Sequence, residues 1–396
     1  MEEWKEYKLG EVVNILDYKR IPLSSKERST RHGTYPYYGA QGIIDYIDDY
    51  IFDGTYLLIA EDGENLKSQK QDVAQLASGK YWVNNHAHIV DSNGKCDIRY
   101  ICYLLNTLDL SGYITGSAQP KLNQANLVKI SITLPSLETQ KRISSFLKSL
   151  DDKIEVNRRI NENLEQQAQA LFKYWFVDFE PFKDQPFVKS ELGMIPQGWR
   201  LGCLSNVADI IMGSSPSGSS YNVTGDGDVF YQGRAEFSFR FPRRNMYTTE
   251  AKRYADVDSV LLSVRAPVGD INVAEERCCI GRGLASVKSN EGNSSYILYL
   301  MQSLKPVFDQ FNGEGTVFGS INKKALEELK ILIAPKEIRD SFEDIANKID
   351  SEIKILDQES CLFAELRDTL LPRLMSGELR VTDMDLVNKL MENNIF

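Results

Sequence analysis

The chain has 396 residues, enough for roughly two to three domains of ordinary size. Its 42% apolar content suits a soluble protein, and no run approaches the ~18 consecutive apolar residues of a membrane span. A formal charge of −10 argues against a protein that coats nucleic acid by bulk charge.

From the start of the chain, MEEWKEYKLGE is charged throughout and lacks the apolar stretch of a signal peptide, which predicts a cytoplasmic protein. Trp4-Lys5, Leu9 and Val12-Val13-Asn14-Ile15-Leu16 return as Trp199-Arg200, Leu204 and Val207-Ala208-Asp209-Ile210-Ile211, an offset of 195. YLLIAEDG (56–63) and VLLSVRAPVGD (260–270) read as buried strands ending in turns. WVNNHAHIV (82–90) matches CIGRGLASV (279–287) in the same way, and YICYLLNTL (100–108) shares five of nine residues with YILYLMQSL (296–304). Gly116-Ser117 and Leu122-Asn123 match Gly315-Thr316 and Ile321-Asn322, and ISITLP (130–135) matches LKILIAP (329–335). Anchors in one order at nearly one offset mark a tandem duplication.

Each copy runs into a long helix. Residues 136–180 contain no Gly and no Pro, and Pro135 and Pro181 bracket them. Ile143, Leu147, Leu150, Ile154, Asn157, Asn161, Leu164, Ala168, Leu171 and Trp175 alternate steps of four and three, a heptad seam. The second seam runs through Ile338, Phe342, Ile345, Ile349, Glu352, Leu356, Glu359, Phe363, Leu366 and Leu370, closed by Pro372 and Gly377. Polar residues interrupt each seam near its middle, where they specify register. Each helix is predicted to be roughly 50–65 Å long and to pair antiparallel with the other as a rod, one module at either end, in approximate two-fold symmetry. The fold expected is mixed α/β: two α/β modules, two long antiparallel coiled-coil helices and an internal pseudo-two-fold repeat. The second helix also concentrates charge, with five Lys/Arg against ten Asp/Glu in 336–371, whereas 181–335 carries seventeen of each. The second module is therefore neutral and can still present a basic face.

No Walker A loop, Rossmann glycine fingerprint or Asn-Pro-Pro-aromatic tetrapeptide occurs, and no nucleophile–base constellation stands out. The six cysteines form no CxxC pair and read as small buried residues. His86 and His88 form a His-x-His on a predicted strand and would face one side, but two ligands do not make a metal site. No cofactor or metal is expected on the chain.

Several loops combine aromatics, amides and cations, the residue types that stack, read base edges and hold phosphates. The first module offers Arg31, Tyr37, Tyr38 and Gln41 in RHGTYPYYGAQG, Asn85 and His86 at a strand end, and Ser117, Gln119, Lys121 and Asn123 in GSAQPKLN. The second offers Gln232 and Arg234 in YQGRAEF, then Arg240, Arg243 and Arg244 in RFPRR. Arg265 and Arg282 follow near strand ends, then Thr316, Asn322 and Lys323 in GTVFGSINKK. Aligned loops keep their glycines but change their polar residues, as one scaffold with two recognition surfaces would.

These landmarks resemble the specificity (S) subunit of type I restriction–modification systems. The matching strings are W-K-x-x-x-L-G-E-V at the start and I-P-x-G-W-R-x-x-x-L at 195–204. LPSLETQKRI (134–143), LFKYWFVDFEPF (171–182) and LLPRLMSGELRV (370–381) match around the two helices. One departure is APKEIRDSF (334–342), where Asp340 stands at the position of the usual Gln, in a solvated turn. The resemblance implies target-recognition domains at 1–135 and 181–335, helical regions at 136–180 and 336–378, and a tail at 379–396. It further implies a non-catalytic, double-stranded-DNA-binding subunit that reads a bipartite target. Two methyltransferase subunits would dock on the helices and methylate adenine with S-adenosylmethionine. Restriction subunits would supply ATP- and Mg-dependent translocation and cleavage, and helix length would set the spacer between half-sites.

Overall fold

Apolar runs too short for helices become buried strands, and the long heptad runs become helices of 40 residues each, Leu137–Phe176 and Lys336–Met375. The computed structural model describes residues 4–68, 71–116, 119–191, 193–265, 267–312 and 319–380. These divide into two compact units, one of residues 1–156 with 359–396 and one of residues 157–358.

In the first unit, Val13–Ile15, Ala87–Ser92, Tyr56–Ala60 and Ala74–Ala77 lie side by side as an antiparallel sheet. Helix Ile98–Thr107 covers it with Tyr100, Ile101, Leu104 and Leu105, and starts where the Asp97 carboxylate accepts the Tyr100 N–H. A second sheet orders Gly42–Ile47, His32–Gly39, Lys80–Val83 and Phe52–Asp53, with a parallel pairing at Tyr37–Trp82. Lys5–Lys8 pairs antiparallel with Ser131–Leu134, which ends three residues before the central helix begins. Ile143, Phe146, Leu147 and Leu150 of that helix share one core with Leu370, Leu374 and Met375 of the distal helix.

The second unit repeats this topology. Ala208–Met212, Leu284–Ser289, Val260–Ser263 and Ile271–Val273 form the corresponding four-stranded sheet. The second sheet again contains a parallel pair, Phe230 beside Cys279. Arg200–Cys203 pairs with Lys330–Ile333, and helix Ser294–Ser303 covers the core. The predicted duplication is therefore a duplication of main-sheet order and pairing sense, with one strand added to the second sheet of the second unit.

An aromatic cluster explains LFKYWFVDFEPF. Phe172 and Phe176 contact Phe342 edge-on at 5.7 and 5.2 Å, Phe176 meets Trp199 at 5.7 Å, and Phe182 meets Trp199 at 5.4 Å. These rings anchor both helices in the second unit. There the helices run antiparallel, since Asn157 and Asn161 bond the backbone oxygens of Leu356 and Ile353 respectively.

Three helix details differ from expectation. Three positions of the distal seam miss: Ile345, Glu352 and Glu359 are exposed, with Ala346 and Ile353 buried beside the first two, whereas Phe342 and Leu370 are buried and Ile338, Ile349, Phe363 and Leu366 pack against the cores. Near the middle of the seams the buried polar residues are Asn157 and Asn161 of the central helix, whereas Glu352 and Glu359 of the distal helix are exposed. Pro372 does not end the distal helix, which runs on to Met375 and is closed by Gly377 at φ 75°. The counterpart of Gln140 is Arg339 rather than Asp340. Gln140 Nε2 donates to the Pro135 oxygen and Arg339 Nε donates to the Ala334 oxygen, both five residues back, and Arg339 is buried. The shift arises because the first helix starts two residues after its proline and the second starts one residue after.

Candidate nucleic-acid interface

In each unit the strands of the main sheet end where four loop segments converge, held by main-chain bonds. In the first unit Asn84 N–H donates to the Tyr38 oxygen, Glu61 N–H to the His86 oxygen, and Leu122 N–H to the Glu61 oxygen. In the second unit Gly281 N–H donates to Tyr231, Val264 N–H to Gly283, and Ile321 N–H to Val264. The bridge Asp62–Lys121 has its equivalent in Arg265–Ser320. These three bonds and the bridge are equivalent in the two frames.

What the frame presents differs. The first edge carries Gln41, Asn85, His86, Gln119 and Lys121, all exposed. His86 Nδ1 lies 2.7 Å from Asp62 Oδ2. The second edge carries exposed Gln232, Arg234, Arg265 and Arg282. Arg234 pairs with Asp270, and Arg282 N–H donates to Ser215 Oγ at 3.2 Å. Glycine is required here: a Cβ on Gly281 or Gly283 would stand 2.8 or 2.7 Å from the Gln232 backbone. The first edge mixes amides, an imidazole and one lysine, and the second is richer in arginine, so the two edges suit different base patterns.

The family profile for the type I restriction modification DNA specificity domain matches residues 1–166 and 196–359. The chain belongs to the DNA specificity subunits of type I restriction–modification systems. It is 36% identical over 300 residues to the type I restriction enzyme MjaX specificity subunit of Methanocaldococcus jannaschii, covering 73% of this chain and 70% of that one. It is 25% identical over 430 residues to the MjaIX specificity subunit of the same organism, covering 96% and 98%. The crystal structure of a type I specificity subunit from M. genitalium shares the fold, with a TM-score of 0.61 at 14% identity over 94% of this chain and 96% of that one.

The specificity subunit is non-catalytic, and the candidate residues named from its sequence fall into distinct places. Those of the two edges come together as described. Tyr37 does not join them. It is fully buried, and its hydroxyl takes the Leu23 N–H at 2.9 Å beneath the Arg28 guanidinium. Arg240 does not join them either. It is buried, 2.8 Å from Asp350 Oδ1 and within 3.6 Å of Glu165, where it braces the second unit internally. Arg244 pairs with Glu275 and Glu276, and the Glu275 carboxylate also accepts from Gln358 of the distal helix. Arg243 stands beside it, its N–H bonded to the Glu236 oxygen. Tyr38 is half-buried edge-on to Tyr81, and Arg31 lies over Trp82 while paired with Asp48.

Asn123 and Asn322 cap short helices, each accepting the N–H three residues on, and Lys323 pairs with Glu327. Ser117 and Thr316 lie outside the described residues. His86 and His88 do not share a face, because the strand starts only at Ala87: His86 is exposed and His88 is buried.

Sequence reasoning passed over Asp17, Arg20 and Glu61, which lie under the first edge. Burial opposes the Glu61 charge, but Arg20, His88 and Lys121 hold its carboxyl below the usual carboxylate range. Asp17, Glu61 and His88 bring ligand-type atoms within 4.8 Å of one another. Arg20, Lys121, the Ile89 N–H and the Leu122 oxygen already occupy them, so the donor set suits an ionic brace better than a cation. Among the described residues no helix is long and apolar enough to cross a membrane.

Proposed function

We propose that each unit reads one half of a bipartite, asymmetric DNA target through its loop-bearing edge. The observation that carries this reading is the frame of equivalent main-chain bonds that presents different side chains in the two copies. Lysines and arginines would meet phosphates, and Gln41, Asn85, His86, Gln119, Gln232 and Arg282 would face base edges. Segments 1–135 and 181–335 are the recognition segments on this reading, 136–180 and 336–378 the helical ones, and 379–396 a tail. Methyltransferase subunits would dock on the helices. Val156 and Ile355 support this, since they occupy equivalent positions 199 residues apart and both expose about half of their surface to solvent, at 51% and 58%. S-adenosylmethionine and ATP with Mg would be bound by partner subunits, and restriction subunits would complete the assembly.

Replacing residues 1–135 with the corresponding segment of another family member tests the reading. Methylated adenines, mapped in DNA co-expressed with the chimera and its methyltransferase, should change in one half-site and keep the other. A change in both halves, or in neither, would sink it.

A further inference from the structure

Beneath the first edge lies an ionic cluster that the second unit replaces with apolar groups. His88 is 1% exposed, with Nδ1 2.6 Å from Asp17 Oδ2 and Nε2 2.7 Å from the Leu122 oxygen. Both ring nitrogens therefore have an oxygen partner inside the unit. Arg20 meets Glu61 at 2.8 Å and Asp17 at 3.3 Å, and donates to the Ala87 oxygen at 2.9 Å. Lys121 reaches the other Glu61 oxygen at 3.2 Å, and Asp17 Oδ1 accepts the Ile89 N–H at 2.9 Å. In the equivalent frame of the second unit, Ala285 stands for His88 and Val264 for Glu61, both buried.

We propose that Asp17, Arg20, Glu61 and His88 are positioning residues for DNA recognition by the first unit, fixing the segments that present Asn85, His86 and Lys121. The inference rests on the reading that this edge faces DNA. The topology does not need the ions, since the second unit builds the same frame around Ala285 and Val264. Ion pairs and charged hydrogen bonds instead add direction, which apolar contact lacks. Glu61 shows how they act. Its main chain bonds both neighbouring segments, at His86 and Leu122, while its carboxylate holds Arg20 from a third segment and Lys121 itself. Loss of one partner strands a buried charge and frees loops that carry the reading side chains.

The test uses the full chain assembled with its methyltransferase partner. Methylation rates are compared on the cognate target and on targets with one base pair replaced in either half. His88→Gln and the near-isosteric Glu61→Gln should reduce discrimination about tenfold in the half assigned to the first unit by the segment swap. Discrimination in the other half should stay within about twofold. An equal loss in both halves, as a merely destabilised chain would give, overturns the inference. So does unchanged discrimination in both halves by both variants. A wild-type complex without discrimination in the first half would overturn the reading of the edge itself.

Discussion

Asn161 of the central helix donates its side-chain amide to the backbone oxygen of Ile353 on the distal helix, at 3.3 Å. Both residues are buried, and Asn161 Oδ1 finds no partner there. Four residues earlier, Asn157 makes the same bond to Leu356 at 3.4 Å. A polar residue at such a seam favours one register at a cost in stability. Asn161→Leu should therefore raise the stability of the second unit by about 1–2 kcal/mol. Thermal melting of the purified chain checks the sign, and a lower midpoint would show that the bond outweighs the stranded oxygen.

Phe342 touches Phe172, Trp175, Phe176, Tyr296 and Tyr299. Phe342→Ala empties the centre of that cluster and should cost about 3–5 kcal/mol. Ile345→Ala, at the exposed position that the sequence placed in the seam, should cost under about 1 kcal/mol. Urea unfolding of the two variants separates a seam position that is buried from one that is exposed, although the sequence placed both in the seam.

Gly377 ends the distal helix at φ 75°, and a Cβ there would stand 2.8 Å from Trp4 Cζ2. Gly94 has a similar φ of 93° with nothing within 4 Å. Gly94→Ala should cost only the backbone strain of roughly 1–2 kcal/mol. Gly377→Ala should cost measurably more by chemical denaturation, and equal costs would mean that the Trp4 ring moves aside freely.

DNA binding by the assembled complex should separate the arginines of the second unit. Arg265→Ala should lower the slope of log affinity against log salt by about one, as loss of a phosphate contact would. Gln232→Ala should instead relax preference at one base pair, by about 1–3 kcal/mol. Arg240→Met should leave the salt slope unchanged, because its guanidinium is spent on Asp350 and Glu165. A changed salt slope for Arg240→Met would return it to the interface.

The sequence by itself determined the duplication, the two long helices and the family. Those features rest on local signals, since apolar periodicity, prolines and repeated strings survive in one dimension. The tertiary structure alone decided which candidate polar residues are exposed at the loop edges. Tyr37, Arg240 and Gln41 look alike as loop candidates, yet burial removes the first two and leaves the third exposed. It alone set the middle of the distal seam, where Ala346 and Ile353 are buried in place of Ile345 and Glu352. It alone joined Asp17, Arg20, Glu61 and His88, which are scattered over 72 positions of the chain and meet only because strand pairing brings their segments together. Charge pairing of that kind depends on distance in space and leaves no periodic trace along the chain.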